Sequence, residues 1–286
     1  MIPGAFDYHR PSSLTEAISL LAKYGDDGRV IAGGHSLIPM MKLRLAQPAH
    51  LIDLAGIGGL AGVCEDGPEL VIGALTTQHD LLASDLVRER CPLLHETAVL
   101  IADPQVRYRG TIGGNVANGD PGNDMPAVMQ CLDASYVVHG PSGERRIAAR
   151  EFYEAAYFTK LASDEILVGI RIPCPPTGHG WAYEKQKRKV GDYATAAAAV
   201  VLTMDGGRCG HAALALTNLG QTPILVETAL VGTAVDEAAI AAACAAAEAA
   251  SDPVADMRGP VDYRRHLAGV MTDRALRRAL ARAQRH

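Results

Sequence analysis

The chain has 286 residues, 48% of them hydrophobic, and a formal net charge of −5. This is enough apolar material for one large core or two smaller ones, and the acidic balance gives no electrostatic ground for a nucleic-acid partner. No apolar run approaches the roughly 20 residues that cross a bilayer, and MIPGAFDYHRPSS lacks the apolar centre of a secretory signal, so a cytoplasmic chain is expected.

Short strands and helices alternate through the first 175 residues. SLTEAISLLAKYG (13–25) reads as a helix: Ser13 and Glu16 stand at capping-box spacing, Ala17, Ile18, Leu20, Leu21 and Tyr24 repeat on one face, and Gly25 is a stop. RVIAGG (29–34) is a strand running into glycine, SLIPMMKLRLA (36–46) a helix opened by Ser36, and HLIDL (50–54) a strand. LAGVCEDGPELVIGA (60–74) reads as a hairpin turning at Asp66-Gly67. A helical stretch from about 77 to 101 is broken by Pro92. TIGGNVANGDPGND (111–124) is too rich in glycine and asparagine for a packed helix or central strand and is expected to be a purpose-built loop. A helix through MPAVMQCLDA (125–134) and a hairpin from ASYVVHG through PSG to ERRIA follow.

IPCPPTGHG (172–180), with three prolines and two glycines, is an exposed connector. Beyond it GWAYEKQKRK, DYATAAAAVVLTM and GHAALALTNLG read as strands, and DEAAIAAACAAAEAA (236–250) and VDYRRHLAGVMTDRALRRALARAQ (261–284) as helices. The second part is therefore an α+β unit of about 110 residues.

Four patterns could carry chemistry. GIGGLA (56–61) fits a dinucleotide fingerprint, but CEDGP puts a turn where the phosphate-facing helix should open, so it reads as a tight connection. AGGHS (32–36) and TIGGN (111–115) share a double glycine after an apolar stretch; such loops let a ligand approach the backbone and can aim several N–H groups at one point, with ordinary turns as the alternative. Neither continues into Gly-Lys-Ser/Thr, which excludes a nucleoside-triphosphatase loop. The histidines form no H-x-x-x-H or H-E-x-x-H pair, and the six cysteines never come closer than 27 positions, so no metal or iron–sulfur cluster is expected in this chain. KQKRK (185–189) and the arginine-rich C-terminal helix read as solvated basic faces, with docking to an acidic subunit as the other reading of that helix.

AGGHSLIPMMKLRLA, ADPQVRYRGTIGGNVANGDPGNDMPA and GDYATAAAAVVLTM together resemble the FAD-binding subunits of molybdenum hydroxylases. That family includes xanthine dehydrogenase, and AGGHS with NGDPGNDMP is most similar to its carbon monoxide dehydrogenase branch. The resemblance runs from FDYHRP to YRRHLAGVM. It implies an α+β fold: a two-part FAD-binding domain of the vanillyl-alcohol-oxidase (PCMH) type over 1–177, divided near residue 57, and a smaller C-terminal flavoprotein domain over 178–286.

It also implies non-covalent FAD. Ala32, Gly33, Gly34, His35 and Ser36 with Thr111, Ile112, Gly113, Gly114 and Asn115 would wrap the pyrophosphate; Ile101 and Asp124 match adenosine-side and ribose contacts, Leu167 and Lys185 the other side of the cofactor, and Tyr193 the aromatic beside the isoalloxazine. The resemblance moves Lys185 alone out of the solvated basic run and leaves Lys187, Arg188 and Lys189 in it. No catalytic residue is expected here. Substrate oxidation would belong to a large subunit carrying the molybdenum–pterin cofactor, a small subunit would carry two 2Fe–2S clusters, and the whole would be a dimer of heterotrimers. A respiratory quinone would take the electrons, which brings the complex to the inner face of the cytoplasmic membrane as a peripheral protein. Two other readings stand beside it: a flavoprotein subunit acting on an aldehyde or N-heterocycle and reducing NAD or oxygen, and an assembly module that has lost its flavin.

Overall fold

The computed structural model describes residues 2–285. The first part opens with β1 (Asp7–His9), α1 (Leu14–Tyr24), β2 (Gly28–Ile31), α2 (Leu37–Lys42) and β3 (His50–Asp53), and its three strands form a parallel sheet in the order β1-β3-β2. Parallel neighbours need crossovers, which α1 and α2 supply. α1 begins where the Ser13 hydroxyl accepts the Glu16 N–H at 3.2 Å, and it ends at Gly25, whose φ of 51° leaves the helix. The Glu16 carboxylate reaches back to Ser12 rather than Ser13, accepting its N–H at 2.9 Å. Ser36 does not cap α2 with its side chain, and α2 is shorter than expected because Arg44 turns to a φ of 62°.

The next part contains β4 (Val63–Asp66) and β5 (Glu69–Gly73), then six helices: α3 (Gln78–Ala83), α4 (Asp85–Arg90), α5 (Pro92–Leu100), α6 (Pro104–Arg107), α7 (Ile112–Ala117) and α8 (Met125–Cys131). β6 (Ser135–Gly140), β7 (Gly143–Ala148), β8 (Tyr153–Ala155), β9 (Phe158–Thr159) and β10 (Ile166–Pro173) follow. An antiparallel sheet of order β4-β5-β10-β6-β7 forms from this stretch, with β8 and β9 a separate ribbon. The expected helix over 77–101 is three helices, because the Ser84 hydroxyl caps α4 by accepting the Val87 N–H and Pro92 opens α5. The stretch expected to be all loop is helical from Ile112 to Ala117, a correction whose cause lies in its cap, described below.

The last part has β11 (Gly180–Gln186), β12 (Ala196–Asp205), β13 (Arg208–Thr217), β14 (Ile224–Val226), α9 (Glu237–Ala250) and α10 (Val261–Ala283), with an antiparallel sheet in that strand order. Its alternation decides how the molecule is held together. Ala196, Ala198, Val200 and Leu202 face Ile240, Ala243, Leu267, Met271 and Ala275 of α9 and α10. Ala197, Ala199 and Val201, with Ala213, Ala215 and Tyr183, belong instead to the core that contains α5, α8 and the five-stranded sheet. A strand buried on both faces reads as a continuous apolar run, which is why ATAAAAVVLTM shows no alternation. Across this seam the Cys131 thiol lies 3.2 Å from the Ala213 carbonyl; burial pushes that thiol's pKa up to about 12 and leaves it an inert donor.

Alanine and glycine on the second sheet are there for close approach. A Cβ on Gly180 would run into the Ala279 carbonyl of α10. Gly180→Ala should therefore lift α10 from β11 and destabilise the chain by about 1–3 kcal/mol, the usual range for overpacking. Thermal and urea unfolding check this; an unchanged midpoint would mean the helix yields freely at that point.

Candidate cofactor site

The first glycine segment follows β2. Gly34 has a φ of 77°, in the left-handed region, and Gly33, Gly34 and Ser36 are half-buried while His35 is exposed. Among the described residues, no hydrogen bond within the chain uses the N–H groups of Gly33, Gly34, His35 or Ser36. Consecutive free donors around a left-handed residue are the arrangement from which anion-binding concavities are made.

The second segment is built differently. The Thr111 hydroxyl accepts the Gly114 N–H at 3.0 Å and caps α7. Ile112 N–H donates to Thr76 O, Gly113 N–H to Ala74 O and Asn115 N–H to Thr111 O. The expected fan of free N–H groups is thus absent here, because the fold spends all four. Gly113 is a packing glycine, since a Cβ there would lie 2.6 Å from Ala74 atoms, whereas Gly114 is exposed and a Cβ would meet only Thr111 Oγ1, at 2.9 Å. The two segments do come together: a Cβ on Gly33 would run into the backbone of Arg109 and Gly110, the residues that lead into Thr111.

Asp124 and Lys185 meet across the seam. Lys185 Nζ lies 2.7 Å from Asp124 Oδ2, with side chains only 1% and 6% exposed. The other carboxylate oxygen accepts the Tyr183 hydroxyl at 2.6 Å. Burial, then the Asp124 charge, holds the Tyr183 hydroxyl well above its ordinary pKa, so it remains a donor. Tyr183 is fixed in turn: its N–H donates to Glu96 Oε1 at 2.7 Å and its carbonyl accepts Arg278 Nη2 at 2.7 Å. Sequence reasoning put Asp124 and Lys185 at different parts of a cofactor and missed Tyr183; the strand alternation of GWAYEKQ, which sets Tyr183 and Lys185 on one face, was the available signal.

Two basic regions also need correction. Lys187, just past the end of β11, is half-buried and has its pKa lowered by burial first and then by the Lys185 charge, so it is not a fully solvated member of the run. The C-terminal helix is not simply a solvated face either. Arg282 pairs with Glu96 at 2.7 Å and lies over the Trp181 ring, and the nearly buried Arg264 donates to the Val254 and Asn218 carbonyls.

Tyr193 lies half-exposed against Gly122, where a Cβ would sit 3.0 Å from its Cδ1. Its pKa is raised by burial first, then by the charges of Asp120 and Asp124. Ile101 and Leu167 are buried in the main core and present no polar side-chain atom to a ligand. Leu167 sits at the register irregularity of β10, next to Val168, whose carbonyl accepts the N–H of the same Ala74 that packs on Gly113. Clefts of about 460 Å³ and 480 Å³ open elsewhere, one at the connector and one on the five-stranded sheet, and neither is lined by the glycine segments. The candidate site therefore has two parts: the glycine segments that meet at Arg109 and Gly110, and the buried Asp124–Lys185–Tyr183 cluster at the seam.

Residues 4–175 match the family model described as the FAD binding domain in molybdopterin dehydrogenase, and residues 181–279 match the CO dehydrogenase flavoprotein C-terminal domain. The chain belongs to the FAD-binding flavoproteins of the molybdopterin dehydrogenases. It is 60% identical to the carbon monoxide dehydrogenase medium chain of Afipia carboxidovorans, over 99% of this chain and 100% of that one. A carbon monoxide dehydrogenase structure from Hydrogenophaga pseudoflava, lacking the Mo-pyranopterin moiety of its cofactor, superposes with a TM-score of 0.98 at 50% identity, covering 99% of each chain. The 6-hydroxypseudooxynicotine dehydrogenase complex subunit alpha of Paenarthrobacter nicotinovorans is 36% identical over 99% of this chain and 97% of its own.

The residues of this flavoprotein fit FAD. The free N–H groups of 33–36 suit a pyrophosphate, and Asn115 Oδ1 is a buried acceptor without a partner in the chain. Among the described residues no group of side chains could hold a metal, and no helix is long and apolar enough to cross a membrane.

Breaking the buried pair should be costly. Lys185→Met leaves the Asp124 carboxylate unpaired by charge and should destabilise the chain by about 3–5 kcal/mol, and adding Asp124→Asn should recover part of that loss. Urea unfolding of the two single variants and the double variant checks this; additive losses would mean that the two side chains do not depend on each other.

Proposed function

We propose that this chain is the medium, FAD-carrying subunit of an aerobic, molybdenum-containing carbon monoxide dehydrogenase. In this reading it takes electrons from the 2Fe–2S clusters of a small subunit and delivers them to a quinone-type acceptor, while a large subunit with the molybdenum–pterin cofactor oxidises the substrate. The three subunits would assemble as a dimer of heterotrimers in the cytoplasm, peripherally at the membrane. What carries the reading is end-to-end 60% identity to a carbon monoxide dehydrogenase medium chain, against 36% for a relative named for another substrate, together with the intact donor surface of 33–36.

Bound FAD supplies a centre that accepts electrons singly and releases them in pairs. The chain's own residues hold it. Gly33, Gly34, His35 and Ser36 offer backbone donors to the pyrophosphate, each charge-assisted bond contributing about 1.5–3 kcal/mol. Thr111 would add its hydroxyl hydrogen, since its oxygen already accepts from Gly114, and Asn115 would add its side-chain N–H, leaving its unpartnered Oδ1 to accept from a sugar hydroxyl. Ala32, Ile112 and Gly113 shape these segments, and Gly114 leaves their outer surface open. Asp124 keeps lone pairs for ribose hydroxyls after serving Tyr183 and Lys185. Lys185 acts through Asp124, and Lys187 is a second, half-buried cation just past the end of that strand. Tyr193 would stand beside the isoalloxazine, Ile101 would be an apolar wall on the adenosine side, and Leu167 one on the other side of the cofactor. The domains in this reading are 1–177, in parts 1–57 and 58–177, and 178–286.

The other enzyme reading, a flavoprotein subunit for an aldehyde or N-heterocycle, differs in what reduces the flavin. The test isolates this chain with its partners from the native source and records the visible spectrum before and after carbon monoxide. Flavin and iron–sulfur bands that bleach with the gas, with one larger and one smaller subunit present, are the expected result. Flavin that stays oxidised would move the substrate elsewhere in the family. Gly114→Val should yield a folded complex with little flavin, because the side chain displaces the cap at Thr111.

A further inference from the structure

Gln78 is the first residue of α3 and only 2% exposed, yet neither Nε2 nor Oε1 of its carboxamide has a hydrogen-bond partner. Its backbone is well held: the N–H donates to the Gly110 carbonyl at 2.9 Å, and the preceding Thr77 bridges Thr111. Thr77 and Asp80 complete a capping box around it, so helix capping makes no use of the Gln78 side chain. Gly110 and, more closely, the Arg109 carbonyl before it are also the backbone against which Gly33 packs. The unpaired amide therefore belongs to the residue bonded to the point where the two glycine segments meet.

A buried carboxamide with both ends unsatisfied costs free energy, and native proteins keep one only where something else completes it. We propose that Gln78 is a cofactor-binding residue whose carboxamide is completed by the sugar-alcohol chain of FAD beside the pyrophosphate. A phosphate only accepts, so it satisfies Nε2 and leaves Oε1 unpaired. Hydroxyls both donate and accept, and FAD carries a chain of them next to its phosphates. This rests on FAD occupying the segments 32–36 and 111–115, and it adds a contact from α3 that the glycine motifs do not include.

The test uses Gln78→Leu, which keeps the volume and removes both polar atoms, in the assembled complex stripped of flavin and titrated with FAD. The structure requires opposite effects on two readouts. FAD affinity falls about tenfold or more, while the thermal midpoint of the flavin-free complex stays level or rises, because an unsatisfied polar group has been removed. Unchanged FAD affinity overturns the proposal and assigns the amide to internal water. Lost affinity together with a lowered flavin-free midpoint also overturns it, since that is the signature of a structural role. Gly114→Val runs alongside: if it retains FAD normally, the placement of FAD on the glycine segments has failed, and if it loses FAD while Gln78→Leu does not, only the Gln78 contact has.

Discussion

The structure depends on one strand being buried on both sides. β12 gives Ala197, Ala199 and Val201 to the core of the flavin domain and Ala196, Ala198, Val200 and Leu202 to the helices behind it. Alanine has low strand propensity, so packing against close neighbours on both faces, rather than the backbone's own preference, holds this strand. The same demand for close approach explains Gly180 under α10 and the thiol of Cys131 against the Ala213 carbonyl. The second part of the chain is thus one wall of the first part's core.

That seam creates the charged part of the site. Asp124 opens α8 on one side, and Tyr183 and Lys185 come from β11 on the other. Burying a carboxylate and an ammonium costs several kcal/mol unless geometry and further hydrogen bonds offset it; here Tyr183 supplies the extra bond and is itself clamped by Glu96 and Arg278. The charged groups that would hold a cofactor exist in their present form only when both parts are docked. The glycine segments divide the remaining work. The first keeps its donors free, and the second spends its donors on the fold and sets the first in place through Gly110.

Much of this was legible in the sequence. The hairpin turning near Gly67, the capped helix after Ser13, the α+β second part and the connector expected over 172–180, which narrows to 174–179 between β10 and β11, follow from turn chemistry and periodicity. The fingerprint-like GIGGLA was rightly set aside, since Gly59 at φ 81° and Gly62 at φ 116° lead into a hairpin. Other features depend on partners distant in the chain. TIGGN looks like a loop by composition and becomes helical because Thr111 caps it and Ala74 and Thr76 take its first N–H groups. Gln78 is an ordinary polar residue in sequence, and only its burial without a partner sets it apart. The basic run at 185–189 could not be divided correctly without knowing that Lys187 is half-buried and feels the Lys185 charge.

The most direct test of the seam is flavin retention by the two parts made separately. Residues 1–177 alone keep both glycine segments and Asp124 but lose Tyr183, Lys185 and the wall formed by β12. If the site is completed across the seam, this fragment emerges from gel filtration without FAD, and flavin binding returns when residues 178–286 are supplied. Retention of FAD by the first fragment alone, at the affinity of the whole chain, would contradict a site assembled from both parts.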